Sequence, residues 1–171
     1  MTGASSNTAF GSGAMGGADT GAENTAIGYN ALSVNTTANN VAVGAYALDA
    51  NTTGTSNTAV GKNALGTNID STSSTAVGRE ALAANTAAYG TAVGAFCLDA
   101  NSTGADNTAV GFNALGANTT GTQNTAFGYT ALQASTTVNE NSAFGWQALK
   151  ANTSGGKNVG IGWCAGLAIT T

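Results

Sequence analysis

Apolar and polar residues recur along this chain with a period of 17 residues, shortened to 16 in two places. Each period carries a Thr-Ala-Val triplet, a glycine, an Ala-Leu pair and an Asn-Thr-Thr-Gly segment. A unit this short, with Gly and Asn recurring inside it, leaves no room for a helix of useful length. The pattern therefore predicts short strands and turns, repeated as stacked copies of one unit.

Ten copies of the unit fill the chain, so residues 1–171 are predicted to form a single repeat domain. The expected fold is all-β, a parallel β-solenoid whose successive turns stack about 4.8 Å apart. Because residues 169–171 align with the inside of a turn, we also expect the segment to belong to a longer fibre. The turns are expected to start near Asn7, Asn24, Asn40, Asn57, Ser74, Gly90, Asn107, Asn124, Asn141 and Asn158.

Two columns of the aligned units carry large apolar residues, and both are predicted to fill the coil. The leucine of each Ala-Leu pair gives a continuous apolar spine. The Thr and Val of the triplet share one face of a strand, and Val41 and Val159 show that the Thr position accepts hydrophobic residues. The predicted core is Leu32, Leu48, Leu65, Leu82, Leu98, Leu115, Leu132, Leu149, Val60, Val77 and Val110.

The alanine between Thr and Val must point the opposite way along the strand. It is small and apolar, where a solvated face would carry charge. Burial of one Leu and one Val per turn also recovers only part of the entropy lost on ordering that turn. We therefore expect an oligomer whose chains meet at the alanine face, through Ala59, Ala76, Ala109 and Ala126.

Composition removes several functional classes. Only 7% of the residues are charged, the net charge is −4, and the basic residues are scattered, so no nucleic-acid partner is expected. The chain has no histidine and its acidic residues do not repeat in any column, so we predict no catalytic, cofactor or metal site. No apolar run is long enough for insertion into a membrane.

The segment from Asn107 to Gly121 shows the whole unit, Asn-Thr-Ala-Val-Gly-x-x-Ala-Leu-x-x-Asn-Thr-Thr-Gly. It resembles the repeats of phage tail-fibre shafts. More distantly it is similar to the head repeats of trimeric autotransporter adhesins, whose Val-Ala-Ile-Gly core is matched at 41–44 and 159–162. The resemblance covers essentially the whole chain, although the autotransporter unit is shorter. It implies a left-handed β-roll with three chains around one axis.

The same resemblance implies a place on a virion tail fibre or a bacterial cell surface. We therefore expect a non-enzymatic structural shaft of a fibre or adhesin, assembled as a homotrimer. Its task would be to space or attach a tip, and a cell-surface glycan or receptor is a further expected partner.

Aromatic residues collect at the two positions that follow the aligned glycine. Exposed rings suit the stacking of sugars, so these residues are candidates for contact with a glycan. The alternative is a structural role, in which the rings cover the alanine column or fill a seam between chains. The candidates are Tyr29, Tyr46, Phe112, Tyr129, Trp146 and Trp163.

An ice-binding β-solenoid is the rival functional hypothesis, because a ladder of threonines on a flat solenoid can order water. Val41 and Val159 interrupt the ladder in this chain, and the strand alternation assigned above turns it inward. The ladder runs through Thr8, Thr25, Thr58, Thr75, Thr91, Thr108 and Thr125.

The remaining polar and thiol groups are expected to be structural. Cys97 replaces an alanine in a small-residue column, and Cys164 lies in a different column four turns away, so no disulfide is expected within the chain. Asn-x-Thr/Ser sequons arise from the Asn-Thr-Thr segment itself, and turn chemistry explains asparagine there. They stand at Asn35, Asn51, Asn101, Asn118 and Asn152.

Overall fold

The computed structural model describes residues 6–17 and 20–167. Within those ranges the chain forms ten strands of three residues each and no helix. The strands are β1 (Thr8–Phe10), β2 (Thr25–Ile27), β3 (Val41–Val43), β4 (Thr58–Val60), β5 (Thr75–Val77), β6 (Thr91–Val93), β7 (Thr108–Val110), β8 (Thr125–Phe127), β9 (Ser142–Phe144) and β10 (Val159–Ile161).

All ten strands belong to one parallel sheet, in which each strand pairs with the next one along the chain. The register follows the repeat, so that Thr58 lies beside Thr75, Ala59 beside Ala76 and Val60 beside Val77. Each turn of the chain thus adds one strand to the sheet. The predicted all-β parallel solenoid is confirmed.

Hydrogen bonds join successive coils outside the strands as well. The Asn63 amide donates back to the carbonyl of Ala45 at 3.0 Å, and the Leu65 amide donates forward to the carbonyl of Ala81 at 3.1 Å. Because the same bonds recur in coil after coil, most of the backbone of a turn is tied to the turns before and after it. The turns are therefore part of the rod and not loose loops.

The glycine after each triplet is required by a close approach between coils. Gly61 has a φ of 137°, and a Cβ added there would lie 2.4 Å from the carbonyl oxygen of Gly78. A side chain at this position would therefore collide with the backbone of the next coil, as well as adopt an unfavourable φ. The recurrent glycine marks the corner where the strand ends.

Leucines of the apolar spine adopt a left-handed backbone, with φ values such as 50° at Leu65 and 51° at Leu98. A residue with a Cβ pays roughly 1 to 2 kcal/mol for this conformation. Each of the eight leucines is nevertheless completely buried. The left-handed turn directs a large side chain to the centre of a coil whose strand has only three residues. The predicted leucine core is confirmed.

The strand faces are the reverse of the sequence prediction. Ala59, Ala76, Ala109 and Ala126 are completely buried inside the coil, in the same cluster as the leucines. They cannot form an interface between chains, so that prediction is wrong. The predicted inward valines point outward instead: Val60 and Val110 are half-buried and Val77 is 36% exposed.

The width of the coil explains this arrangement. Strand β10 has glycine where the other strands have alanine, and a Cβ built on Gly160 would lie 2.7 Å from Cγ of Leu149. The inward position of the strand therefore faces the leucine spine at very short range. Only a methyl group or a hydrogen fits there, and the larger valine must occupy the outer face.

Candidate interaction surfaces

Asparagines of the Asn-Thr-Thr segment lie inside the coil and bind one another along the axis. The side-chain amide of Asn118 donates to Oδ1 of Asn101 at 2.7 Å, and that of Asn101 donates to Oδ1 of Asn85 at 2.8 Å. Each amide also reaches a carbonyl of its own turn, such as Gly121 for Asn118. These bonds offset the cost of burying the polar groups.

This ladder settles the role of the sequon asparagines. Their side chains are buried, and none of them has a positive φ, so tolerance of left-handed backbone does not explain asparagine here. A nitrogen that is buried and hydrogen-bonded, as in Asn51 or Asn101, is also inaccessible to a glycosylating enzyme.

A second asparagine column fixes the start of the strands. Oδ1 of Asn40 accepts the backbone amide of Asn57 at 3.0 Å, and Oδ1 of Asn124 accepts that of Asn141, also at 3.0 Å. Since these oxygens already accept bonds from the next coil, the column is structural. Sequence reasoning treated these residues only as the starts of turns.

The outward side chains of the ten strands form what we call the strand face. One column consists of threonines with valine at two positions and serine at one, and the other consists of Val, Ile and Phe. Neither column contains a charged residue. Within the described part of the chain, the strand threonines make no side-chain hydrogen bond to the protein, in contrast to turn threonines such as Thr119.

Four of the candidate glycan-binding rings form a stack that we call the aromatic ladder: Phe112, Tyr129, Trp146 and Trp163. Their centroids are 5.5, 5.9 and 5.2 Å apart, and their planes are within 12° of parallel. Each inner ring therefore covers the faces of its neighbours and shows mainly its edge to solvent. A sugar stacks on a ring face, so this geometry favours the structural role.

The other rings are also engaged with neighbours. Tyr29 and Tyr46 pack edge to face at 5.2 Å. Phe96 extends the aromatic ladder by an edge contact with Phe112, and the Arg79 guanidinium lies 4.3 Å from the centroid of Phe96. The aromatic ladder therefore ends in the middle of the rod, where the Arg79 guanidinium covers Phe96.

Few titratable groups are perturbed. Burial raises the pKa of the Asp49 and Asp99 carboxyls, and Oδ1 of Asp99 makes no hydrogen bond. Burial also raises the pKa of the Cys97 thiol to about 12, and both Cys97 and Cys164 are free thiols. No group of three or more potential metal-ligating side chains occurs among the described residues.

The exposed ion pair and the grooves offer little binding chemistry. Lys157 and Glu140 are 3.9 Å apart beside an open groove that Thr137, Val138 and Asn139 also line, and such solvated pairs stabilise little. A smaller groove lies beside Asp49. Neither is enclosed in the way that small-molecule sites are.

No family model, curated protein or solved structure matches this chain. In the described residues, no helix is long and apolar enough to cross a membrane.

Proposed function

We propose that this chain is a non-enzymatic structural shaft of a fibre or adhesin, such as a phage tail fibre or a bacterial surface stalk. One observation carries the proposal: ten strands in unbroken parallel register build a rod of constant cross-section. Its interior polar groups bind one another along the axis, and its largest apolar side chains form one spine. Ten coils at about 4.8 Å each give a length of roughly 48 Å.

Such a rod suits the transmission of force and the maintenance of distance. Pulling along the axis loads backbone hydrogen bonds, both asparagine ladders and the leucine spine together, because all of them connect neighbouring coils. Failure of one coil therefore requires the loss of many contacts at once. A spacer needs this uniformity along its whole length.

The homotrimeric state and the location on a virion or cell surface belong to the same proposal. The similarity of the unit to tail-fibre and autotransporter repeats supports both. Contact with a cell-surface glycan or receptor is a secondary part of the proposal, since the stacked rings of the aromatic ladder leave chiefly edges for a ligand.

Light scattering coupled to size-exclusion chromatography tests the shaft proposal. A chain of 16.5 kDa should elute as a particle of three times that mass. A strictly monomeric particle, at micromolar concentrations and above, contradicts the trimeric shaft.

Ice binding is a second candidate, and one structural observation favours it more than the sequence did. The threonine ladder, which we expected to point inward, lies on the outer strand face with its hydroxyls free of protein partners. Threonines on five successive strands, β4 to β8, would present hydroxyls at a spacing of about 4.8 Å. Val41, Ser142 and Val159 still interrupt the ladder.

Thermal hysteresis measured on the pure protein tests the second candidate. If the strand face orders ice, Thr91→Tyr should abolish the activity, because a bulky ring breaks the flat array. Thr120→Tyr is the matched control, since Thr120 is exposed in a turn. Clear hysteresis with this dependence would overturn the shaft proposal, and its absence removes the ice-binding candidate.

A further inference from the structure

The strand face leaves an apolar stripe uncovered along the whole rod. Val77 is 36% exposed and Val93 is 38% exposed, and Phe127 and Phe144 stack on each other in the same column. A continuous exposed apolar surface of this length marks an interaction site. We propose that the strand face is the seam along which parallel copies of this chain associate side by side.

Periodicity identifies a second copy as the partner. The stripe presents one Val, Ile or Phe and one small side chain per coil, at a repeat of about 4.8 Å. A partner that packs against every coil must have the same repeat along its length. Another copy of this chain meets that requirement at each level. This step rests on the proposed shaft function, since a shaft that carries a tip at one end needs parallel chains.

The available area is sufficient. If each coil contributes roughly 80 Å² from its partly exposed Thr and Val side chains, ten coils give about 800 Å² per chain, which is the size of one side of a standard specific interface. The covered surface would be apolar at its centre and lined by hydroxyl groups at its edge. That composition is typical of a stable interface between copies.

Charge distinguishes this face from the rest of the surface. Every Lys, Arg, Asp and Glu of the chain lies outside the two columns of the strand face. The neighbouring column that carries the aromatic ladder also contains Lys62 and Arg79, and the turns carry residues such as Asp106 and Glu140. Parallel copies that met through those columns would bring like charges together, which is unfavourable. The strand face has no such conflict.

Two pairs of acidic substitutions test the seam. The double variant Val77→Glu/Val93→Glu places two negative charges on the strand face. The control Val34→Glu/Ile69→Glu places the same charge in turns, where Val34 is 44% exposed and Ile69 is 52% exposed. We expect the first variant to fall to a mass of 16.5 kDa with its circular dichroism unchanged. The second should keep the mass of the unmodified protein.

A cross-linking experiment covers the case in which the acidic variant fails to fold. In a Cys164→Ser background, Val43→Cys should form a disulfide between chains under mild oxidation, because parallel copies in register bring the same position together. Ile69→Cys should not. Cys97 does not interfere, since it is buried.

The outcomes separate the seam from the shaft. An acidic strand-face variant that folds and keeps its full mass overturns the seam and leaves an oligomeric shaft with another interface. The seam is likewise overturned if Ile69→Cys forms a disulfide between chains and Val43→Cys does not. A monomeric unmodified protein overturns both, and the exposed strand face is then tested for ice binding by thermal hysteresis.

Discussion

The two faces of the same three-residue strands differ in a way that sequence alternation does not reveal. In β7 the central Ala109 is completely buried, while its neighbours Thr108 and Val110 lie on the outside. Alanine and valine are both apolar, so hydrophobicity does not decide which of the two lies inside. Size does: the interior of a coil this narrow admits a methyl group opposite a leucine, and the larger β-branched residue is excluded.

The interior and exterior also reverse the usual distribution of polar groups. Asn101 and Asn118 are completely buried, whereas Phe127 and Trp146 are each 40% exposed. Burial of asparagine is tolerated because an amide such as that of Asn118 binds an equivalent amide one coil away, although Oδ1 of Asn118 itself has no hydrogen-bond partner. Exposure of the rings is reduced because each stacks on an equivalent ring. Repetition along the axis satisfies both kinds of side chain.

An acidic substitution on the inner face of a strand and one on the outer face should differ most in their effect on stability. Ala109→Glu forces a carboxylate into the leucine core without a partner, at a cost on the order of 5 kcal/mol. That cost is comparable to the whole stability of many domains. We expect loss of the β signal in circular dichroism at room temperature, or a melting temperature lowered by more than 10 °C.

Val110→Glu is the matched variant, because it adds the same charge one residue along the chain. It should retain the coil and lose only the association between copies. Equal loss of structure in both variants would mean that the outer face is as tightly packed as the inner one.

One of the two free cysteines lies in the interior and the other lies near the surface. Their rates of reaction with a thiol-reactive dye should therefore differ by a large factor. Cys97 belongs to the small-residue column next to the leucine spine, whereas Cys164 is only partly buried. Burial raises the pKa of Cys97 to about 12 from a usual 9.0. At pH 8 this change alone lowers its thiolate fraction by about a thousandfold.

A thiol-reactive dye should therefore label one cysteine per chain quickly and the second only on unfolding. The Cys164→Ser variant gives the background rate of Cys97 directly. Rapid labelling of Cys97 in the folded protein would show that the inner column opens to solvent.

Removal of one member of the asparagine ladder should have an intermediate effect. Asn101→Ala removes the bonds to Asn85 and Gly104 and the acceptor for Asn118. Buried groups left without partners cost about 1 to 3 kcal/mol. Chemical denaturation should show a corresponding loss in the free energy of unfolding.

Asn101→Ser is the control for this variant. The same column contains Ser135, whose hydroxyl donates to the carbonyl of Asn152 at 2.7 Å. The serine variant should lose less stability than the alanine variant, because it can donate to the next coil in the same way. Equal losses would indicate that volume, and not the hydrogen bonds, controls stability at this position.

The sequence established the repeat, the strands and the leucine spine, because these depend only on spacing and on side chains that recur. It did not establish the direction of the strand, since alternation separates two faces without showing which is inside. The variation within each column does show which face is inside. The outer column contains Val, Ile and Phe, as at Phe127, whereas the inner column contains only Ala and, at Gly160, glycine. The inner column is therefore the one with little space.

The inward asparagines were harder to predict. Asparagine in a turn has a sufficient local explanation, and only the stacked structure shows its bond to the next coil. The left-handed leucines were likewise invisible to propensity, because leucine rarely adopts that backbone. In both cases contacts between coils override the local preference, and a single unit does not contain those contacts.

The smallest effect concerns a carboxyl at the border between interior and surface. Burial raises the pKa of Asp99 above its usual 3.8, so the folded protein disfavours the charged form. Asp99→Asn should therefore raise the melting temperature at pH 7. The increase should be about 2 °C or less, because this carboxyl is only partly buried. A carboxyl in a folded protein usually has a lowered pKa and stabilises the fold when it is charged, whereas charged Asp99 destabilises it. This destabilisation is present above the folded pKa and disappears as the carboxyl is protonated, so the gain in melting temperature should vanish near pH 3. Asp70→Asn, a matched change at an exposed turn residue, should give no gain at either pH. A gain from Asp99→Asn that persists at pH 3 would show that shape or hydrogen bonding, and not buried charge, sets the stability at this border.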